Sequence, residues 1–213
     1  TFSTPHGGGG PGAGPVCATR QLAPYLAAPI VTKNGDAFEL STPEESIGKL
    51  SGFHGNFGVL VRAYAYIRSL GAEGLREVSE NAVLNANYIL ARLRDLYHLP
   101  YDHSCMHEVV FSASRQQRQG VKALHIAKRL LDHGFYAPTI YFPLIVEEAL
   151  MVEPTEIESK ETLDYFIEVM KTITREAKEE PSLLHEAPHD MPNTRLDEAR
   201  AARQLDLRWR RKT

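Results

Sequence analysis

The feature that most constrains this fold is a helical spacing of apolar residues through the middle of the chain. In its first part these residues stand at positions i, i+3, i+4, i+7 and i+10, which are Phe57, Leu60, Val61, Tyr64 and Ile67. The spacing predicts one continuous helical face, and because the flanks are apolar too, we expect this helix to be buried on most sides. Gly71 and Gly74 are predicted to break it, and a second long helix is expected over about residues 75–96, before Pro100.

Short strands are predicted on both sides of these helices. Asn34 and Gly35 lie between two runs rich in β-forming residues, which predicts a hairpin over residues 30–40. Later in the chain, the pattern predicts strands at residues 107–113, 139–142 and 149–152, and a helix at residues 120–133.

The C-terminal part alternates in the same way before it becomes polar. Thr155 and Glu158 have the spacing of a capping box, which predicts that another helix starts there. Beyond Pro181 the sequence predicts irregular structure with a short helix over about residues 196–204. The stretch of about residues 97–180 is therefore expected to form an α+β module.

Composition and charge exclude several classes of protein. The chain has 213 residues, of which 43% are hydrophobic, so it is long and apolar enough for a sizeable core. Its net charge is −3, and no basic stripe interleaved with aromatic residues is present, which argues against a nucleic-acid partner. No uncharged apolar stretch approaches about 18 residues, so we expect no membrane span. Residues 195–213 carry seven basic and three acidic side chains, a tail of net charge +4 that leaves −7 on the rest.

The two cysteines, Cys17 and Cys105, are too few for a disulfide framework. A reducing compartment, the cytoplasm, is therefore expected. Cys17 is interpreted as a small packed residue, because no nearby His or Arg in the sequence argues for a nucleophile.

Residues 1–15 contain six glycines and three prolines. Gly7, Gly9 and Gly12 formally fit a dinucleotide-binding fingerprint, but the prolines at positions 11 and 15 prevent the helix that this fingerprint requires. The consecutive glycines at positions 7–10 would let a backbone pass close to a flat ligand, or expose N–H groups to an anion. The alternative is a flexible surface loop. Because the chain opens in this way and without Met, we expect it to be a piece of a longer protein.

Residues 102–108 gather side chains that bind metals. His103 and His107, four residues apart, would suit zinc together with Cys105 if the segment were a helix. The apolar residues that follow favour the alternative, a turn that enters a strand and buries Met106. We therefore expect no metal site.

Several longer strings extend the interpretation, because together they resemble one enzyme family, glycine dehydrogenase (decarboxylating), the P-protein of the glycine cleavage system. These strings are HGGGGPG at 6–12, GP at 14–15, LAPYL at 22–26, SIGK at 46–49, GNFG at 55–58, VRAY at 61–64, YFPL at 141–144 and EALMVEPT at 148–155. The strings APH at 187–189 and RLDE at 195–198 resemble subunit 2 of the form in which two different chains make the enzyme. The resemblance covers essentially the whole chain.

The resemblance implies an α/β fold, that of a fold-type I pyridoxal-phosphate enzyme. Residues 1–75 would end the large cofactor-binding domain, residues 76–194 would form the small α+β domain, and residues 195–213 the basic tail. The family's cofactor lysine stands directly before the residue that matches Thr1, and the other lysines of this chain lie in a different context. The implied reaction releases CO₂ from glycine and passes the aminomethyl group to the lipoyl arm of H-protein. The implied partners are H-protein and the other P-protein subunit, in a heterotetramer.

The resemblance also implies roles for particular residues. Thr1 and the glycines Gly7, Gly8, Gly9 and Gly10 would lie beside the cofactor, and His6 would orient substrate or lipoyl sulfur unless its role is purely structural. Ser46 and Gly48, at an expected helix start, are candidates for a phosphate contact, with simple N-capping as the alternative. Arg62 would bind a substrate carboxylate, or else pair with an acidic residue between domains.

Two hypotheses about function follow. In the first, the chain is the C-terminal part of a glycine-decarboxylating enzyme, inactive when isolated. In the second, it is a non-catalytic assembly or binding module that lacks the cofactor lysine.

Overall fold

The computed structural model describes residues 2–4, 12–50 and 54–209. The chain divides into two compact units, Thr1–Leu75 and Arg76–Thr213. Among the described helices, none has an apolar run of the length that crossing a lipid bilayer requires.

The first unit contains the predicted hairpin. After a single 3-10 turn (Ala23–Tyr25), strand β1 (Ile30–Asn34) pairs antiparallel with β2 (Ala37–Ser41), with Asn34 opposite Ala37. The two loop residues are Gly35 and Asp36, so Asn34 ends the strand instead of taking part in the turn. Gly35 has φ +61°, a conformation that glycine adopts without strain. The hairpin prediction is confirmed.

The helical spacing in the middle of the chain forms α1 (Phe57–Leu93), which is interrupted at one position. Gly71 has φ 66° and ψ −172°, outside the helical region, and therefore kinks the helix. The prediction of a second break was wrong, because Gly74 lies inside the helix. A helical glycine costs only about 1 kcal/mol relative to alanine, and packing readily offsets that amount.

The apolar face of α1, formed by Phe57, Leu60, Val61, Tyr64 and Ile67, is exposed. Phe57 is 65% exposed and Tyr64 66%. The expectation that this helix is buried on most sides is therefore wrong for this chain, since none of the described residues up to Leu75 is buried.

The second unit is built around a small antiparallel sheet with helices packed on it. Its elements are β3 (Val109–Ser112), α2 (Ser114–Gln117), α3 (Ala123–Asp132), β4 (Thr139–Ile140), β5 (Ala149–Val152), α4 (Lys160–Glu179), α5 (Pro181–Glu186) and α6 (Glu198–Arg203). The strand order is β3-β5-β4, and all pairs are antiparallel. Strand β4 is shorter than predicted because Tyr141 takes a positive φ of 59°, which ends the extended backbone.

The helix starts differ from the sequence predictions in two places. Helix α4 is capped by Ser159, whose Oγ accepts a hydrogen bond from the Thr162 amide at 3.2 Å, and not by Thr155. The Thr155 carbonyl instead accepts the amide of Glu158 in a preceding turn. Pro181 opens helix α5 where irregular structure was predicted, because a first helical position needs no N–H donor.

Two packing expectations are also corrected. Cys17 is exposed and therefore is not a packed residue. Met106 is exposed as well, because the residues before Val109 form a surface loop and join no strand.

The core of the second unit is one cluster of buried side chains from the sheet and from the helices around it. Its largest fully buried side chains come from every layer: Tyr97, Phe111, Ile89, Leu93, Ile126, Leu130, Leu150, Ile167, Met170, Ile173, Leu184 and Gln116. The Tyr97 hydroxyl donates to the Met170 carbonyl at 3.1 Å, so the buried phenol is satisfied by the backbone of α4. Burial raises the pKa of Tyr97, which keeps the hydroxyl protonated as a donor.

The exposed apolar face of α1 generates a prediction about association. A contiguous apolar patch larger than a few hundred Å² is unusual on a monomer, so the chain should self-associate at tens of micromolar. Sedimentation velocity over a concentration series measures this. Tyr64→Lys should weaken association without loss of thermal stability because its side chain is exposed, whereas the matched change Tyr136→Lys, outside this face, should leave association intact. Sedimentation of the unmodified chain as a clean monomer would contradict the prediction.

A histidine pair near the start of α3 makes stability depend on pH. The Lys122 amide donates to His125 Nδ1 at 3.2 Å, and the ring of His125 meets the ring of His185 edge-on at 4.6 Å. The pKa of His125 is lowered to about 4, first by desolvation and then by the positive charges of Arg195, His185 and Lys122. His125 is therefore neutral in the folded chain at neutral pH.

We expect the free energy of unfolding to fall as pH decreases from about 6.5 to about 4. The unfolded chain takes up the His125 proton near its ordinary pKa of about 6.5, whereas the folded chain resists it down to about 4. Urea unfolding at a series of pH values measures this slope. His125→Gln keeps a capping acceptor and should flatten the slope, while the exposed-site control His103→Gln should not. An unchanged slope in His125→Gln would refute the assignment.

Candidate functional site

The candidate site lies where the flanks of the glycine-rich opening meet the first turns of α1. Arg62 Nε donates to the Ser3 carbonyl at 2.8 Å, on the N-terminal flank. Asn56 Nδ2 donates to the Gly12 carbonyl at 2.7 Å, on the C-terminal flank. The helix start therefore fixes the path of the chain on both sides of the glycines.

An aromatic contact strengthens the first of these two attachments. The rings of Phe2 and Tyr66 lie 5.9 Å apart at an interplanar angle of 31°. Tyr66 is one helical turn beyond Arg62, so both contacts come from one side of α1. Phe2 and Ser3 are thus held by a ring contact and a charged donor together.

A surface cavity of about 520 Å³ opens at the second attachment. Its lining residues are Gly12, Ala13, Gly14, His54, Gly55, Asn56 and Leu60. A Cβ added at Gly14 or Gly55 would meet no atom within 4 Å, so these glycines leave room for a bound group. The positive end of the α1 dipole lies at this cavity and favours an anion.

Ser46 and Gly48 lie together in a loop and not at a helix start. The expected helix start was wrong, since residues 42–48 form turns and coil, and the next helix begins at Phe57. Ser46 Oγ donates to the Leu26 carbonyl at 2.7 Å and accepts the Gly48 amide at 3.1 Å. The alternative of N-capping is therefore wrong as well, and the hydroxyl instead closes the loop onto residues 26–28.

Arg62 makes its described contact with a backbone carbonyl. Among the described residues no carboxylate forms an ion pair with it, and the alternative of an acidic partner between domains stays a prediction. The contact with Ser3 uses Nε only. That bond does not involve the two terminal nitrogens of the guanidinium, Nη1 and Nη2.

The remaining predicted site residues lie outside the described residues. These are Thr1, His6, Gly7, Gly8, Gly9 and Gly10.

The three candidate zinc ligands make separate contacts. His103 Nδ1 lies 2.9 Å from the Ser104 carbonyl, while the amide of Cys105 donates to Asn87 Oδ1 at 3.1 Å. His107 Nε2 lies 3.8 Å from a Glu153 carboxylate oxygen. Within residues 2–4, 12–50 and 54–209, no three metal-binding side chains cluster as a metal ion would require.

Sequence reasoning missed Asn56 and Tyr66 as functional candidates. In the sequence, Asn56 belongs to the string GNFG, and Tyr66 lies in the helical stretch beyond it; neither position carries a local sign of its contact. Both bind or contact residues more than forty positions away in sequence, and no local pattern reports such a contact.

The two attachments generate a paired prediction. Arg62→Ala should shift the amide resonance of Thr4, which belongs to the peptide that Arg62 contacts, and leave that of Ala13 in place. Asn56→Ala should do the reverse, because it removes the bond to the Gly12 carbonyl. Each change should cost about 1 kcal/mol, the usual net value of one hydrogen bond. Amide ¹H–¹⁵N spectra of the two variants measure this, and each variant is the control for the other. Equal shifts at both amides in both variants would contradict separate attachments.

Comparison with known proteins identifies similar sequences. Residues 78–191 match the family model described as "Glycine dehydrogenase, C-terminal domain". A protein of Chlorobium chlorochromatii named "Probable glycine dehydrogenase (decarboxylating) subunit 2" is 59% identical over 209 residues, which is 97% of this chain and 44% of that protein. A protein of the same name from Staphylococcus haemolyticus is 58% identical over 98% of this chain and 43% of its own length. The chain thus spans less than half the length of these curated relatives.

One solved structure is similar in fold. It is the crystal structure of glycine decarboxylase (P-protein) of the glycine cleavage system in inhibitor-bound form. The two chains share 19% identity with a TM-score of 0.57, over 72% of this chain and 37% of the other. At this identity the likeness establishes a shared α/β fold.

Proposed function

The chain belongs to the glycine dehydrogenase C-terminal domain family, and we propose that it forms part of a glycine-decarboxylating enzyme of the glycine cleavage system. The observation that carries this proposal is an identity of 54–59% over nearly the whole chain to proteins named as subunit 2 of glycine dehydrogenase (decarboxylating). The alternative of a non-catalytic assembly module has no support from these names, which are those of a dehydrogenase subunit.

The proposal includes the fold type and the division into domains. Residues 1–75 end the large domain of a fold-type I pyridoxal-phosphate enzyme, residues 76–194 form its small domain, and residues 195–213 form a basic tail. The boundary between the two compact units, after Leu75, is compatible with this division.

The donor types at the Ser46 loop fit the phosphate of the proposed cofactor. A hydroxyl and backbone N–H groups are the donors that phosphate oxygens accept, and a Cβ at Gly48 would meet nothing within 4 Å. Ser46 Oγ and the Gly48 amide are bonded within the loop, so phosphate binding would exchange the Ser46–Leu26 bond for one to a phosphate oxygen. When bound, pyridoxal phosphate supplies an electron sink for the loss of CO₂ from glycine.

The other predicted residues bind the substrate or let the backbone approach the cofactor. Arg62 holds Ser3 through Nε and offers its terminal nitrogens to the glycine carboxylate. His6 orients the substrate or the lipoyl sulfur by hydrogen bonding. Thr1, Gly7, Gly8, Gly9 and Gly10 let the backbone approach the cofactor closely, because glycine has no side chain to obstruct a flat ring.

The proposed partners are the other P-protein subunit, in a heterotetramer, and lipoyl-bearing H-protein, which receives the aminomethyl group. Support for the first comes from the relatives, which are named as one of at least two subunits. We also propose a cytoplasmic location, in line with two free cysteines, Cys17 and Cys105.

The test uses the complete enzyme, with this chain in its full-length subunit, the companion subunit and H-protein. The unmodified enzyme should exchange label between glycine and bicarbonate. Gly8→Ala should lower that exchange at least tenfold, about 1.4 kcal/mol in the barrier, because a Cβ would obstruct close approach of the backbone. The melting temperature should change little, since an alanine at a strained position costs only about 1 kcal/mol.

Gly58→Ala is the matched control, because a Cβ there has open space around it and Gly58 does not line the cavity. Wild-type exchange in alanine variants at all four positions 7–10 would refute the role of the glycines alone. No exchange by the unmodified enzyme would refute the proposed function itself.

A further inference from the structure

A second cavity, of about 350 Å³, lies in the Arg76–Thr213 unit where the α3–β4 connection, the end of β5 and the start of α4 meet. None of the predicted site residues lines it. A volume of this size accommodates a small ligand or one inserted side chain.

The walls of this cavity are largely apolar, and three of the lining residues are aromatic: Phe135, Tyr136 and Phe166. Phe135 packs edge-on against Phe166, with ring centroids 5.2 Å apart. Met151 and Leu163 add apolar surface, so the interior suits an apolar stem. Aromatic faces also carry partial negative charge and attract cations.

The charged groups that line the cavity are all acidic. Glu153 and Glu158 are among its lining residues, and no Lys, Arg or His is. The nearest basic group in a described contact is His107, whose Nε2 lies 3.8 Å from Glu153. The carboxylate of Glu153 is more than half exposed, so an approaching cation can reach it and the pair costs little desolvation.

We propose that this cavity binds an alkylammonium group. The ammonium lies against Glu153 and Glu158, and the apolar stem lies along Phe135, Phe166 and Met151. An acid with the same stem is rejected by the two carboxylates, and a neutral alcohol gains only the apolar contact. The ammonium comes either from a free amine or from a lysine side chain of a partner protein. This inference is independent of the proposed decarboxylation.

The first measurement titrates the 213-residue chain with n-butylammonium, 1-butanol and butyrate and follows amide ¹H–¹⁵N resonances. The ammonium should shift the resonances of cavity residues such as Tyr136, Glu153 and Thr162, with a dissociation constant on the order of 1 mM. 1-Butanol should bind at least threefold more weakly, and butyrate should not bind. Equal shifts from 1-butanol and n-butylammonium, or no shifts from either, would overturn the proposal.

The second measurement uses variants at the rim, where the exposed side chain of Glu153 can be changed without disturbing the core. Glu153→Gln should weaken binding about threefold and the double change with Glu158→Gln about tenfold, the range expected for partly exposed ion pairs. Glu179→Gln, an exposed glutamate at the end of α4 away from the cavity lining, is the control and should bind as the unmodified chain does. Unchanged affinity in the double variant would overturn the proposal.

A third titration, with Nα-acetyl-lysine methylamide, separates the two sources of the ammonium. Tighter binding than n-butylammonium by threefold or more supports a lysine side chain of a partner protein. Equal or weaker binding supports a free amine.

Discussion

The burial of one face of α4 in the core cluster is the interaction on which the rest of the second unit depends. Its buried residues recur at helical spacing, at Leu163, Phe166, Ile167, Met170, Ile173 and Ala177. Burying this stripe contributes on the order of 1.5–3 kcal/mol for each large side chain. Specific contacts then attach neighbouring elements to α4. Arg129 donates to the Glu176 carboxylate through two nitrogens, at 2.9 and 3.0 Å, and so joins α3 to α4.

The C-terminal segment is held in turn by α3. Asp132, whose pKa is lowered by its backbone hydrogen bonds and by Arg129, accepts the amides of His189 and Asp190 through Oδ1. Arg195 then donates to the carbonyls of Ala187 and Leu184 at 3.1 and 3.0 Å. Residues 187–195 are therefore part of the second unit, because they form hydrogen bonds with Asp132 of α3 and with the Leu184 carbonyl of α5. The net charge of the tail does not predict these hydrogen bonds, because in a charge count Arg195 is only one of seven basic residues.

The sequence predicted best where one local pattern determined the structure. The helical apolar spacing of α4, the apolar run of β5 and the hairpin signal around Gly35 each act over a few residues, and each element is present. The predictions that were wrong concerned a choice between two nearby residues of the same type, two possible helix caps or two possible helix-breaking glycines. Ser159 caps α4 in place of Thr155 because the helix starts at Lys160, beyond the turn that Thr155 begins, and Gly74 stayed helical although Gly71 did not. The apolar face of α1 shows a different limit, because spacing predicts which residues share a face but not whether that face is covered.

The candidate site eluded prediction for a related reason. Arg62 and Asn56 both donate to backbone carbonyls, those of Ser3 and Gly12. A backbone acceptor is present at every residue, so no side chain in the flanks of the glycine-rich segment indicates where these contacts form. Such bonds fix the path of the chain whatever side chains the flanks carry, which leaves the intervening positions free to be glycine. A segment without side chains contributes little burial of its own and gains order only from its ends. Attaching both ends to the first turns of one helix is thus the physical condition under which a glycine-rich segment can serve as a defined part of a site.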